Sequence, residues 1–208
     1  MRHPRSRLFT IVGGLALWGA AAAVTILFVT MAAAATTNLD QCANGSPSPS
    51  LNCNWQNGNL NSSNAEYEEG DSIPYRLFIE GLDPSVSHTI HVNYDFTMGG
   101  VKASDFLTTW NVTQTTADPC SGSASVPSLC PPGGVSTFAF PGDPYELSDK
   151  GSLTVDDAIA AAGVSRNLTI YNGTIKSIST AAHSGTDTAN SDVDMTMTFN
   201  ANACVGDG

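Results

Sequence analysis

Three carboxylates, Glu68, Glu69 and Asp71, crowd into the stretch YEEGDSIPYRLFIEGL at 67–82. Paired acids do acid–base work when burial drives their pKa values apart. Oxygen ligands on loops hold Ca²⁺ in extracellular proteins. Here the acids share a polar turn with Gly70, directly before Pro74, and proline is accepted at the first residue of a strand. Asp71 and Ser72 are turn formers whose side chains bond nearby backbone amides. The residues predict a charged turn that opens a strand, with a weak calcium site at Glu68, Glu69 and Asp71 as the alternative. No catalytic residue and no other cofactor is implied.

The histidines give little more. His88 and His91 are three apart, which in a strand puts them on opposite faces. His91 and Asp95 share a face but lie about 13 Å apart at roughly 3.3 Å per residue, so His91 is expected in solvent. His183 sits in AAHSGTDTANSD with no identifiable nucleophile. The chain has no G-x-S-x-G elbow, phosphate loop or H-E-x-x-H helix. A non-enzyme is therefore expected, with a hydrolase the least favoured reading. Trp55, Tyr67 and Tyr145 fall in loops, where exposed rings stack on sugars and buried ones plug a core.

All five cysteines, Cys42, Cys53, Cys120, Cys130 and Cys204, follow the N-terminal apolar run, and no metal spacing occurs among them. Cys42/Cys53 and Cys120/Cys130 each bracket a short Gly-, Pro-, Ser- or Asn-rich segment. Local pairing of each couple is the simplest connectivity, and it would leave Cys204 over.

The chain opens with Arg2, Arg5 and Arg7, and no charge appears from Leu8 to Ala35. A positive end before an apolar run is an export signal. The run suits either a signal peptide cleaved after Ala35 or an uncleaved single-pass anchor at residues 8–35. Both place residues 36–208 outside the cell, secreted or at its surface. Losing three arginines takes the formal charge from −11 to −14. Nucleic acid is disfavoured as a partner, because binding phosphate needs a cationic footprint; anionic lipid is disfavoured likewise.

The elements that must position these side chains read as strands. PYRLFIE (74–80), HTIHVNYDFT (88–97), VSTFAF (135–140) and DVDMTMTFNA (192–201) are extended, the second and last alternating cleanly between one buried and one wet face. GLDPSVS is expected to join the first two as an antiparallel pair. NLTIYNGTIKSIST (167–180) reads as a tight hairpin or a bulged single strand around Asn172-Gly173. KASDFLTTWN (102–111) has Phe106, Leu107 and Trp110 at helical spacing behind Ser104, which predicts a short helix. TVDDAIAAAG predicts another, capped by Thr154 and ended by Gly163. Residues 36–64 read as loop. The sum is a single antiparallel β-sandwich with one or two short helices and long polar loops.

The pieces WQNGNL (55–60), EGDS followed by PYR (69–76) and DFL (105–107) resemble an uncharacterised bacterial extracellular domain found in secreted and surface, adhesin-like proteins. The resemblance covers about residues 39–200. It implies an all-β module with no established activity, and a further strand beyond 192–201 for which a chain ending at Gly208 is short or truncated. The expected role is a non-catalytic structural or adhesive module whose partner is a surface protein or a glycan. A carbohydrate-binding module is the alternative.

Overall fold

The structure, a computed structural model, describes residues 35–122, 134–145 and 153–203. The export segment up to Ala34, Cys130 and Cys204 lie outside the described residues. Among the described residues, ten strands and one helix form in the order β1 (Thr36–Ala43), β2 (Asn54–Gln56), β3 (Tyr75–Glu80), β4 (Ser87–Met98), β5 (Val101–Lys102), β6 (Val135–Ala139), α1 (Val155–Ala162), β7 (Asn167–Tyr171), β8 (Gly173–Ile178), β9 (Ala182–Gly185) and β10 (Ser191–Ala201). Every strand pairing is antiparallel. One sheet runs β2-β1-β3, a second β5-β4-β10-β8 with β9 also on β10, and a third is the pair β6-β7. The fold is all-β and sandwich-like.

Strand β10 is the centre of the core. Val193, Met195, Met197 and Phe199 are buried on one face while Asp194, Thr196, Thr198 and Asn200 face outward, as the period-two pattern requires. The inward residues pack with Phe96 of β4, Ile175 and Ile178 of β8 and Val155 of α1. Phe138, Leu168 and Ile170 of β6 and β7 close over them, with Phe106 and Leu107 from the segment after β5. Each of the fully buried side chains, such as Phe96 and Val193, contributes about 1.5–3 kcal/mol on burial.

Helix α1 is fixed at its start by a reciprocal capping box. Asp157 N donates to Thr154 Oγ1 (3.1 Å), and Thr154 N donates to Asp157 Oδ2 (3.0 Å). These bonds from Thr154 hold the Asp157 carboxyl below its ordinary 3.8. A depressed carboxyl contributes stability that is complete above the unfolded value and is lost as pH falls through the folded one. Thr154→Ala should therefore lower stability by about 1 kcal/mol at neutral pH, and the difference from wild type should shrink below about pH 3.8. Urea titrations at the two pH values measure both effects.

Four expectations need correction. Residues 103–109 form no helix: Thr109 N donates to Ser165 O, Asn167 N to Thr109 Oγ1, and Arg166 Nε to Leu107 O. The segment lies along the entry to β7 and spends its polar groups there, which an isolated helix could not do. Second, β3 and β4 do not pair. Strand β3 lies on β1, and β4 on β10. Third, residues 36–64 are not all loop: Thr36–Ala43 and Asn54–Gln56, the latter holding Trp55, are strands despite their polar sequence, because β1 has β2 on one side and β3 on the other to complete its ladder. Fourth, β7 and β8 form neither a hairpin nor one bulged strand. Asn172, with φ 55°, turns the chain from one sheet into another, in the left-handed region that Asn tolerates.

Candidate functional site

Two buried polar constellations stand out, one on each main sheet. The first is centred on Arg76 of β3. Its Nε and Nη2 each lie 2.9 Å from Asp40 Oδ2 on β1, and the two side chains are 8% and 7% exposed. Arg76 Nη1 donates to the carbonyls of Pro119 (3.0 Å) and Ser121. The guanidinium lies 4.6 Å from the Trp55 ring centroid and 4.8 Å from that of Phe78. Trp55 Nε1 donates to Asp118 O (2.8 Å). Five donors in a planar fork let one arginine bond several acceptors at once. Arg76 thereby ties β1, β3 and the 117–122 loop together.

The second centre joins β9 to the segment before α1. His183 Nε2 lies 2.9 and 3.0 Å from the two Asp143 carboxylate oxygens. Tyr145 stacks on the His183 ring at 3.8 Å and 7°, and Phe96 meets both rings edge-on. The Tyr145 hydroxyl lies 3.3 Å from Asp187 Oδ1, which also accepts from Ser191 Oγ. Burial first, then the Asp187 charge, raises the Tyr145 pKa. Tyr94 is pushed up to about 12, by burial and then by the Asp143 charge. Burial lowers Arg166, whose Nη1 donates to Pro141 O. Among the described residues His183 Nδ1 is buried with no hydrogen-bond partner, and Asp143 is the ring's one hydrogen-bonding contact.

The residues singled out from the sequence are scattered. Glu68, Glu69 and Asp71 are exposed, and the Asp71 carboxylate accepts from Glu68 N (2.8 Å) while Asp71 N returns a bond to Glu68 O. Among the described residues no group of three His, Cys, Asp or Glu is placed to hold a metal ion. Trp55 gives a face to Arg76, and Tyr145 gives one to His183. Tyr67 donates its hydroxyl to Cys42 O (2.9 Å) and is pushed up to about 12 by burial and then by Asp71. Trp55 and Tyr67 thus flank Cys42, whereas Tyr145 belongs to the His183 cluster. His91 is in solvent, 3.7 Å from Asp194. Cys42 and Cys53 are joined by a disulfide. Cys120 is also disulfide-bonded.

The His183–Asp143 contact spans 40 residues of sequence, too far for any local spacing to signal it. Next to the Cys42–Cys53 bridge an open cleft of about 310 Å³ is lined by Ala43, Asn44, Ser48, Ser50, Asn52 and Asn54, among others, with no charged side chain. On the outer surface of the first sheet, Leu39 and Leu77 are direct cross-strand partners, and they are exposed together with Tyr75. Among the described residues no helix is long and apolar enough to cross a membrane. Compared with models of known protein families, with curated proteins and with solved structures, the chain matches none.

Proposed function

We propose that this chain is a non-catalytic extracellular module, structural or adhesive, of a secreted or surface protein. The observation that carries the reading is where the polar groups sit. Asp40, Arg76, Asp143 and His183 are buried and spent on joining strands to loops, while the open cleft offers only neutral amides and hydroxyls. No external substrate reaches an acid, base or activated nucleophile there, and geometry comes before pKa in assigning a catalytic group. The export-type N-terminus and the charge of −11 suit a solvated exterior. Leu39, Tyr75 and Leu77 supply the exposed apolar contact that interaction surfaces carry.

The neutral cleft favours a second reading, a carbohydrate-binding module, since amides and hydroxyls are what sugar hydroxyls pair with. Particles coated with the folded chain, applied to immobilised extracellular proteins and to a glycan array, separate the two. Retention on protein surfaces is expected. Retention on glycans alone would favour the second reading, and turnover of ester, peptide or glycoside substrates would contradict both.

A further inference from the structure

The chain holds three Asp–Pro bonds, Asp83–Pro84, Asp118–Pro119 and Asp143–Pro144. This bond type is labile in mild acid. The aspartate carboxyl reaches its own carbonyl carbon through a five-membered ring, an intramolecular attack with a high effective concentration. The proline nitrogen belongs to a tertiary amide and is expelled more readily once protonated.

The three bonds sit in different surroundings. Asp83 is exposed, and its Oδ1 accepts from Ser85 N and Oγ. Asp118 Oδ1 accepts from Cys120 N. Asp143 is 2% exposed, and it has a histidine within hydrogen-bond distance of both carboxylate oxygens. The Asp143 carbonyl oxygen accepts from Asp156 N (3.1 Å), and Tyr145 O from Val155 N (2.8 Å). Both donors belong to the first turn of α1, the positive end of the helix dipole. Asp143 N donates to Asp156 Oδ1 (2.6 Å), and a Cβ on Gly142 would stand 3.1 Å from Asp156 Oδ2. Asp143, on the acyl side of the scissile bond, is thus held at its own backbone nitrogen, its carbonyl and its side chain. Tyr145 N also approaches Asp143 Oδ1 (3.2 Å). The other charged or titratable groups facing the pair are Arg166 and Tyr94, through their interaction with Asp143, Asp187 behind Tyr145, and Lys102 over the Phe96 ring.

We propose that Asp143–Pro144 is a self-cleavage site, with Asp143 as nucleophile and His183 as proton donor. This activity goes beyond the adhesive reading and is compatible with it: burial that shuts out external substrates leaves the chain's own bond within reach. An Asp143 carboxylate oxygen adds to the Asp143 carbonyl carbon, and the Asp156 N–H stabilises the charge that develops on the carbonyl oxygen. The C–N bond then breaks, and its electron pair leaves on the Pro144 nitrogen, which takes the proton held between His183 Nε2 and the carboxyl. A cyclic anhydride remains at Asp143. One water molecule opens it to two carboxyl groups, so the net reaction is hydrolysis. The β4–β10 and β6–β7 ladders both cross the cut, and the two fragments stay associated.

The test incubates the full chain at about pH 5 and about pH 8, spanning the range over which a histidine serves as acid, and maps new termini by denaturing mass spectrometry. A fragment beginning at Pro144 should form at the lower pH on the order of 10²-fold faster than fragments beginning at Pro84 or Pro119. In urea the advantage should vanish. Pro144→Ala, at an exposed position, should stop the cut without disturbing the fold. His183→Gln should bring the rate down to that of the other two bonds. Equal cleavage at all three bonds in the folded chain, no fragment beginning at Pro144, or the same preference in urea would each overturn the proposal.

Discussion

Asp40→Ala is expected to cost about 3–5 kcal/mol of folding stability. The substitution leaves the Arg76 guanidinium buried between Trp55 and Phe78 with its carboxylate removed. Desolvating a charge is expensive, and an unpaired buried charge keeps that cost without the compensating attraction. Two bonds from Arg76 Nη1 to the 117–122 loop remain, but carbonyl oxygens do not neutralise a charge. Total stabilities run at about 5–15 kcal/mol, so the variant should sit near its folding threshold. Urea unfolding at low temperature, with the disulfides intact, measures the difference. A loss under about 1 kcal/mol, the range of a solvated pair, would show that Arg76 swings out to water and that the loop is not fastened through it. Pairing the change with Arg76→Met should recover part of the loss, because buried ion pairs are often replaceable by apolar residues.

Phe96→Ala should cost a similar amount, about 3–5 kcal/mol, through lost burial and the cavity left behind. Phe96 is fully buried, packs with Val193 and Met195, and meets the rings of Tyr145 and His183 edge-on at 5.6 and 5.0 Å. Such edge contacts add about 0.5–1.5 kcal/mol beyond area. The loss should be accompanied by a near-ultraviolet circular dichroism change, since the stacked Tyr145 loses a wall. Phe96→Leu should cost much less, because it keeps most of the volume. Equal losses for the two variants would mean that the position is sensed for aromatic character and that cavity formation is not the main cause.

The sequence was most legible where a single physical constraint dominates a segment. Strand β10 alternates because one face meets the core and the other water, and β4 does the same. Helix α1 carries its own cap in Thr154 and Asp157, and Gly163 ends it in the left-handed conformation. Strand β1 was not legible, since TTNLDQCA owes its extension to β3 and its buried acid to Arg76. The segment 102–111 was misread because Phe106, Leu107 and Trp110 mimic a helical stripe, while the partner of its Leu107 carbonyl lies 59 residues away. The same distance problem hid the Asp143–His183 pair. His183 showed no partner nearby in sequence, and its partner arrives only when β9 docks on β10. Of the aromatic candidates, Trp55 and Tyr145 proved to lend their faces to Arg76 and His183. No periodicity in the sequence reports such stacking.

On the proposed reading, the exterior of the first sheet is a contact surface while the interior fastens the fold. The sharpest comparison is of particles coated with wild type and with the Leu39→Ser/Leu77→Ser variant, by their retention on immobilised extracellular proteins, alongside the melting temperature of each. Both leucines are about half exposed, so the melting temperature should barely move. Retention should fall by about tenfold or more, as loss of a central apolar contact worth about 1.4 kcal/mol or more requires. Unchanged retention with an intact fold would contradict the adhesive role of this surface.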